Sequence, residues 1–150
     1  MSVRKLYTNP AARNLPHRPP GLHALLHPAA ALATLNVGGC ESLTGLHLPT
    51  HQHLQEVDAH GCPLLSAVSL DSASTLVTLR ARKCPRLQSL RVECTGMAML
   101  DVRGCGALEV LQCAVRDGAM GEGRRRARLQ GCDRLQEASK RTLTRLGFVL

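Results

Sequence analysis

The side chains here that could do chemistry are seven cysteines, seven histidines and a run of arginines. Cys40, Cys62, Cys84 and Cys105 recur at intervals of 22, 22 and 21 residues. Thiols can pair as disulfides, hold zinc or act as nucleophiles, so their setting decides among these. His47, His51, His53 and His60 crowd toward Cys62 in HLPTHQHLQEVDAHGC, a composition that could suggest a metal centre. A metal needs converging ligands and a supporting shell, and nothing in this spacing requires either, so no metal and no cofactor is expected. Arg124, Arg125, Arg126 and Arg128 follow the glycine-rich GAMGEG, which lacks the Lys-Ser/Thr ending of a phosphate loop. There is no G-x-S-x-G or H-E-x-x-H, and an enzyme is not expected.

What must position these residues is a repeat. Units aligned on their first apolar residue begin at Leu32, Leu43, Leu54, Leu65, Leu76, Leu87, Met97 and Leu108, steps of 11 residues with a single 10. The fourth residues are Leu35, Leu46, Val57, Val68, Leu79, Leu90, Leu100 and Leu111. The sixth are Val37, Leu48, Ala59, Leu70, Ala81, Val92, Val102 and Cys113. Each unit offers one short apolar–polar–apolar strand followed by a turn. Cysteine at the ninth residue of alternate units doubles the period to about 22. Such strands cannot bury an apolar face alone, so successive coils must stack. With only Tyr7 and Phe148 aromatic and no Trp, the interior is built from Leu, Val, Ala and Cys, which suits thin layers.

The pattern L-x-x-L-x-V-x-x-C-x-x-L resembles the leucine-rich repeat. It is carried by LATLNVGGCESL (32–43), LQEVDAHGCPLL (54–65), LVTLRARKCPRL (76–87) and MAMLDVRGCGAL (97–108), and more weakly by RARLQGCDRL at 126–135. Bacterial and protozoan repeat proteins use repeats of this length. The resemblance implies a solenoid, mostly β, with two short strands per coil, since LTGLHL, LSAVSL, LQSLRV and LEVLQC replace the helix of many relatives. Strands are expected near 35–37, 57–59, 79–81 and 100–102, and near 46–48, 68–70, 90–92 and 111–113. It also implies that Cys40, Cys62, Cys84 and Cys105 point inward as a structural ladder. Strands about 4.8 Å apart hold ladder thiols parallel, farther apart than a disulfide wants and in a line that cannot surround zinc. Buried, reduced thiols are therefore expected, in a reducing compartment such as the cytoplasm. The nucleus or delivery into a host cell are alternatives.

Charge is uneven. Residues 1–18 carry four basic side chains and no acid; 19–79 carry four acids and no Lys or Arg; 80–150 carry fifteen basic against seven acidic side chains. The formal net charge is +8. An acidic partner is one reading of such a surface. The fifth and seventh residues around the first strand of each coil should face outward: Asn36 and Gly38, Asp58 and His60, Arg80 and Arg82, Asp101 and Arg103. Three arginines on adjacent coils then form a patch interrupted by Asp101. This mixed-charge strand face predicts a non-enzymatic protein-interaction module whose partner has complementary charge. Reversing Asp101 to Lys would then weaken that partner and strengthen nonspecific nucleic-acid binding. The alternative is binding of nucleic acid or anionic lipid through the arginine-rich half, with RRRAR also readable as a nuclear-localisation signal. Scarcity of aromatics argues against single-strand recognition, where bases stack on rings.

The expected organisation is a flexible basic segment over 1–20 and a solenoid over 21–150. The solenoid has regular repeats over 32–116, an irregular loop at 117–126 and a capping helix over 133–146. Asp133 is the expected N-cap, Gly147 the stop, and Leu135, Ala138, Thr142 and Leu146 the inner face. GLHALLH, 21–27, is expected to cap the other end. No apolar run is long enough to span a membrane as a helix.

Overall fold

A computed structural model describes residues 33–48, 53–71, 75–115 and 125–150. The segment 1–20, the cap expected at 21–27, and Arg124 lie outside the described residues. The described residues form a solenoid of parallel β-strands. The front sheet contains β1 (Thr34–Asn36), β3 (Glu56–Asp58), β5 (Thr78–Arg80), β7 (Met99–Asp101), β9 (Arg125–Arg128) and β10 (Phe148–Val149), in that order. The back sheet contains β2 (Gly45–Leu48), β4 (Ala67–Leu70), β6 (Ser89–Cys94) and β8 (Val110–Val115). Both expected stacks are present, with the register set by the repeat: Leu35 lies beside Val57, Val57 beside Leu79, Leu79 beside Leu100. A solvent-facing residue on each side of one apolar residue leaves only one register that buries every fourth residue.

Between the sheets lies one core, made of the fourth, sixth and first residues of each unit. Leu54, Val57, Ala59, Leu65, Leu76, Leu79, Ala81 and Leu87 are fully buried. Numbering each coil from its first leucine, the front strand starts at position three, one residue earlier than expected. The chain begins to bend toward the turn at position six, whose amide still bonds across to the next coil, as in Val37 N to Asp58 O at 2.8 Å.

The cysteine ladder is more than packing. Cys62 Sγ donates to Val37 O (3.2 Å), Cys84 to Ala59 O (3.2 Å), Cys105 to Ala81 O (2.9 Å) and Cys132 to Val102 O (3.0 Å). Each thiol thus bonds to the position-six carbonyl of the preceding coil, tying consecutive turns together. Cys132 is a full member. Cys40, expected buried with the others, is half-buried, and its coil is the first described, with no earlier carbonyl to reach among the described residues. All seven thiols are free. Burial pushes the Cys40 and Cys132 thiols up, so both stay protonated. Cys94 and Cys113 are buried on the core side of the back sheet, outside the ladder.

The turn itself follows two local rules. Position eight adopts a left-handed backbone, occupied by Gly39, Gly61, Gly104 and Gly131 at φ of 73°, 65°, 72° and 75°. That twist aims its amide at the position-seven carbonyl of the next coil, as in Gly61 N to Arg82 O at 2.9 Å. A second turn closes from the cysteine carbonyl to the leucine three residues on, as in Leu108 N to Cys105 O at 3.0 Å.

The C-terminal end departs from expectation. Of the loop expected over 117–126, residues 117–124 lie outside the described residues, and 125 and 126 belong instead to β9, because RRAR supplies a fifth front strand in which Ala127 pairs with Leu100. The helix, α1, spans Glu137–Arg145 rather than 133–146. Asp133 is not its cap: the cysteine-to-leucine turn runs through Asp133 to Leu135, so Gln136 becomes the N-cap, without a side-chain capping bond. The inner stripe is accordingly Leu135, Ser139 and Leu143, while Ala138 is exposed and Thr142 and Leu146 only half-buried. Gly147 ends the helix at φ 81°, and the chain returns as β10 beside β9. Ser139 Oγ accepts the Leu111 amide (3.2 Å), fastening α1 to the free edge of β8.

Candidate functional site

The front sheet's outer surface carries residues three, five and seven of each coil. Its middle column, in register, reads Asn36, Asp58, Arg80, Asp101, Arg128. Four consecutive rungs alternate in sign, negative then positive, at strand spacing of about 4.8 Å.

Position five has a second duty. Asn36 Oδ1 accepts the Gly38 amide (2.9 Å), Asp58 Oδ1 the His60 amide (3.1 Å) and Asp101 Oδ1 the Arg103 amide (3.3 Å). Asn and Asp favour this local turn because their short side chains reach the backbone two residues on. Position seven then sits beside the carboxylate. His60 Nδ1 is 2.8 Å from Asp58 Oδ1, and the His60 ring lies over Gly38, where any Cβ would collide with it. Arg103 Nε and Nη2 donate to Asp101 Oδ1 and Oδ2 at 2.9 and 2.7 Å, a two-pronged pair.

Asp101 is only 3% exposed, so it is a buried anchor rather than a displayed acid. The Arg103 side chain holds its carboxyl below the usual aspartate value, with the Arg103 amide and the Arg128 charge assisting. Reversal of Asp101 would therefore strike the fold, and the sign mixture has to be probed elsewhere. Arg80 is not free either, because its guanidinium pairs with Glu56. Glu56 escaped the sequence reading, which counted only positions five and seven as outward. Period-two alternation also places position three on that surface, where Thr34, Glu56, Thr78, Met99 and Arg126 lie in register.

The expected patch of Arg80, Arg82 and Arg103 is thus brought together on adjacent coils, but two of its members are neutralised. Arg82 is exposed, and no ion pair joins it among the described residues. Of the RRRAR arginines, Arg125 is held in place: its Nη1 donates to the Leu146 carbonyl (2.7 Å) at the end of α1, and its guanidinium lies 6.0 Å from the Phe148 ring. It closes the end of the solenoid. Arg126 is exposed and Arg128 half-buried on the front face.

The histidines do not converge. His47 Nδ1 is 3.8 Å from Asp71 on the back sheet, His53 is exposed, and His51 lies outside the described residues. Among the described residues no group of three or more His, Cys, Asp or Glu is placed to hold a metal ion. No described helix is long and apolar enough to cross a membrane. One open hollow of about 330 Å³ lies where β8 meets α1, lined by Val92, Leu111, Cys113, Ala138 and Thr142 among others. Comparisons with protein-family models, with curated proteins and with solved structures find no match to this chain.

Proposed function

We propose that this chain is a non-enzymatic protein-interaction module, a leucine-rich-repeat solenoid whose front face binds a protein of complementary, mixed charge. The observation that carries this reading is the mixture of signs left at least partly exposed on the front face, with the acids Glu56 and Asp58 on one coil and Arg80, Arg82 and Arg128 on others, held in register by backbone pairing. Rungs fixed by backbone pairing hold their charges ready, which lowers the ordering cost of binding. A partner matching both signs gains at acids and cations alike, whereas a uniform polyanion meets repulsion at Glu56 and Asp58. The repeat's resemblance to leucine-rich repeats, which generally bind proteins, supports the same reading. Free, largely buried thiols suit work in a reducing compartment.

Nucleic-acid binding is the second reading, favoured by Arg82 and Arg126, which are exposed and carry no ion pair among the described residues. Glu56→Lys separates the two. Its side chain is 37% exposed and its loss frees Arg80, so the face becomes more basic there, with Asp58 the remaining acid on that coil. A partner captured by cross-linking to the wild-type chain should bind the variant about ten-fold more weakly, while random duplex DNA binds more tightly and with a steeper salt slope. Tighter binding of the captured partner to Glu56→Lys would favour the polyanion reading.

A further inference from the structure

The third coil's turn differs at two positions from the turns of the coils on either side. Position five, Asn36, Asp58 or Asp101 on the other coils that cap their own turn, is Arg80, which cannot accept an amide. Position eight, glycine on four coils, is Lys83 at φ 58°. A residue with a Cβ is strained in this left-handed region. Strain kept at one coil when glycine serves the other four points toward a use for the side chain.

The surroundings indicate what that use is. Arg82, Lys83 and Arg86 are all exposed, and among the described residues no ion pair joins them. The Lys83 stem lies along the next turn: a Cβ on Gly104 would come within 3.8 Å of its Cα and Cγ. Positions eight to eleven of the second, third and fourth coils hold no carboxylate. Beside the cations the same turns present an apolar step. Leu64, 37% exposed, shares position eleven with Arg86 on the adjacent coil, and Pro63 and Pro85 share position ten.

We propose that this turn corner docks an acidic peptide segment that also carries an apolar residue. Its carboxylates meet Arg82, Lys83 and Arg86, and its apolar side chain rests on Leu64 against the two prolines. A uniform polyanion has nothing to place on Leu64, which is why the observations favour a peptide over nucleic acid. The inference rests on the protein-interaction reading and adds a surface beside the strand face.

The test uses the full chain and a fluorescein-labelled peptide in which Asp and Glu alternate with Leu, followed by anisotropy, with labelled heparin as the uniform polyanion. Circular dichroism accompanies each variant. Arg86→Glu and Leu64→Ser should each weaken the peptide by about five-fold or more, and Lys83→Gly by about three-fold while raising the melting temperature. Heparin should lose affinity with Arg86→Glu but not with Leu64→Ser. Peptide affinity unchanged by Leu64→Ser or by Lys83→Gly, in folded variants, overturns the proposal. So does heparin affinity that falls in step with the peptide's across all three. Glu56→Lys is measured alongside and should leave the peptide's affinity unchanged; a several-fold gain would place the peptide on the strand face and overturn the turn site.

Discussion

The front and back sheets are wound from the same coils by the same repeat, yet they expose different chemistry. Outward residues of the front sheet include Glu56, Asp58, His60, Arg80, Asp101 and Arg103, tied into pairs within and between rungs, with Arg128 on the next rung. Those of the back sheet begin Gly45, Ala67, Ser89 and Val110, and continue His47, Ser69, Arg91 and Gln112, in register but mostly small or neutral. The inward residues are alike in being apolar and buried, mostly Leu and Val, with Ala59 and Ala81 in front and Cys94 and Cys113 behind. Core packing therefore does not distinguish the sheets. What distinguishes them is the turn that follows: after the front strands of the second and fourth coils it is fixed by an Asp side chain, a left-handed glycine and a thiol bonded to the coil before. A closely held turn keeps the residues before it in one geometry, which is what a displayed charge pattern requires.

The largest effects should be the same on both sides. Leu79→Ala on the front and Leu90→Ala on the back each remove a buried side chain, and each should cost about 2–5 kcal/mol in denaturant unfolding. A clear inequality would mean that one sheet carries the core.

The next test separates them. Asp101→Asn leaves Arg103 without its two-pronged partner and should cost about 2 kcal/mol at neutral pH, whereas Gln112→Ala on the back sheet should fall within about 0.5 kcal/mol. The same carboxylate sets an acid response. Its pKa is depressed in the folded chain from an ordinary 3.8, so its stabilisation is present above that value and fades as pH falls through the folded pKa. Stability measured downward from pH 5 should therefore fall more steeply in the wild type than in Asp101→Asn.

Cys84→Ser should cost about 1–2 kcal/mol. The shorter C–O bond draws the donor back from the Ala59 carbonyl that the sulfur reaches at 3.2 Å, and the buried site offers little room to adjust. No loss would reduce the ladder to simple filling. Smallest is Lys83→Gly, expected to stabilise by about 0.5–1 kcal/mol as left-handed strain exceeds glycine's extra chain entropy.

The solenoid was legible because its signal is repetition. Sixteen apolar positions at an 11-residue step admit one stacking register, and both sheets follow it. The ends were less legible because no repeat constrains them. RRRAR reads as a solvated basic loop until β7 offers its free edge, and then Ala127 is the one apolar residue able to continue the core. Asp133 is a fair helix cap locally, but the coil's own turn claims it first. The strand face was readable as positions, not as pairings. Nothing in the spacing distinguishes Asp101 as buried under Arg103 from Asp58 as half-buried beside His60, since that depends on side-chain reach across rungs. Glycine before cysteine in GGC, HGC, RGC and QGC was a signal for the left-handed turn, and RKC its exception.

In the proposed function a protein partner binds the front face and leaves the back face free. This is tested most directly by the dissociation constant of the captured partner for two single charge reversals on exposed side chains, Glu56→Lys in front and Arg91→Glu behind. About ten-fold weakening is expected for Glu56→Lys and a change within about two-fold for Arg91→Glu. Equal weakening by both, or weakening by Arg91→Glu alone, would contradict it.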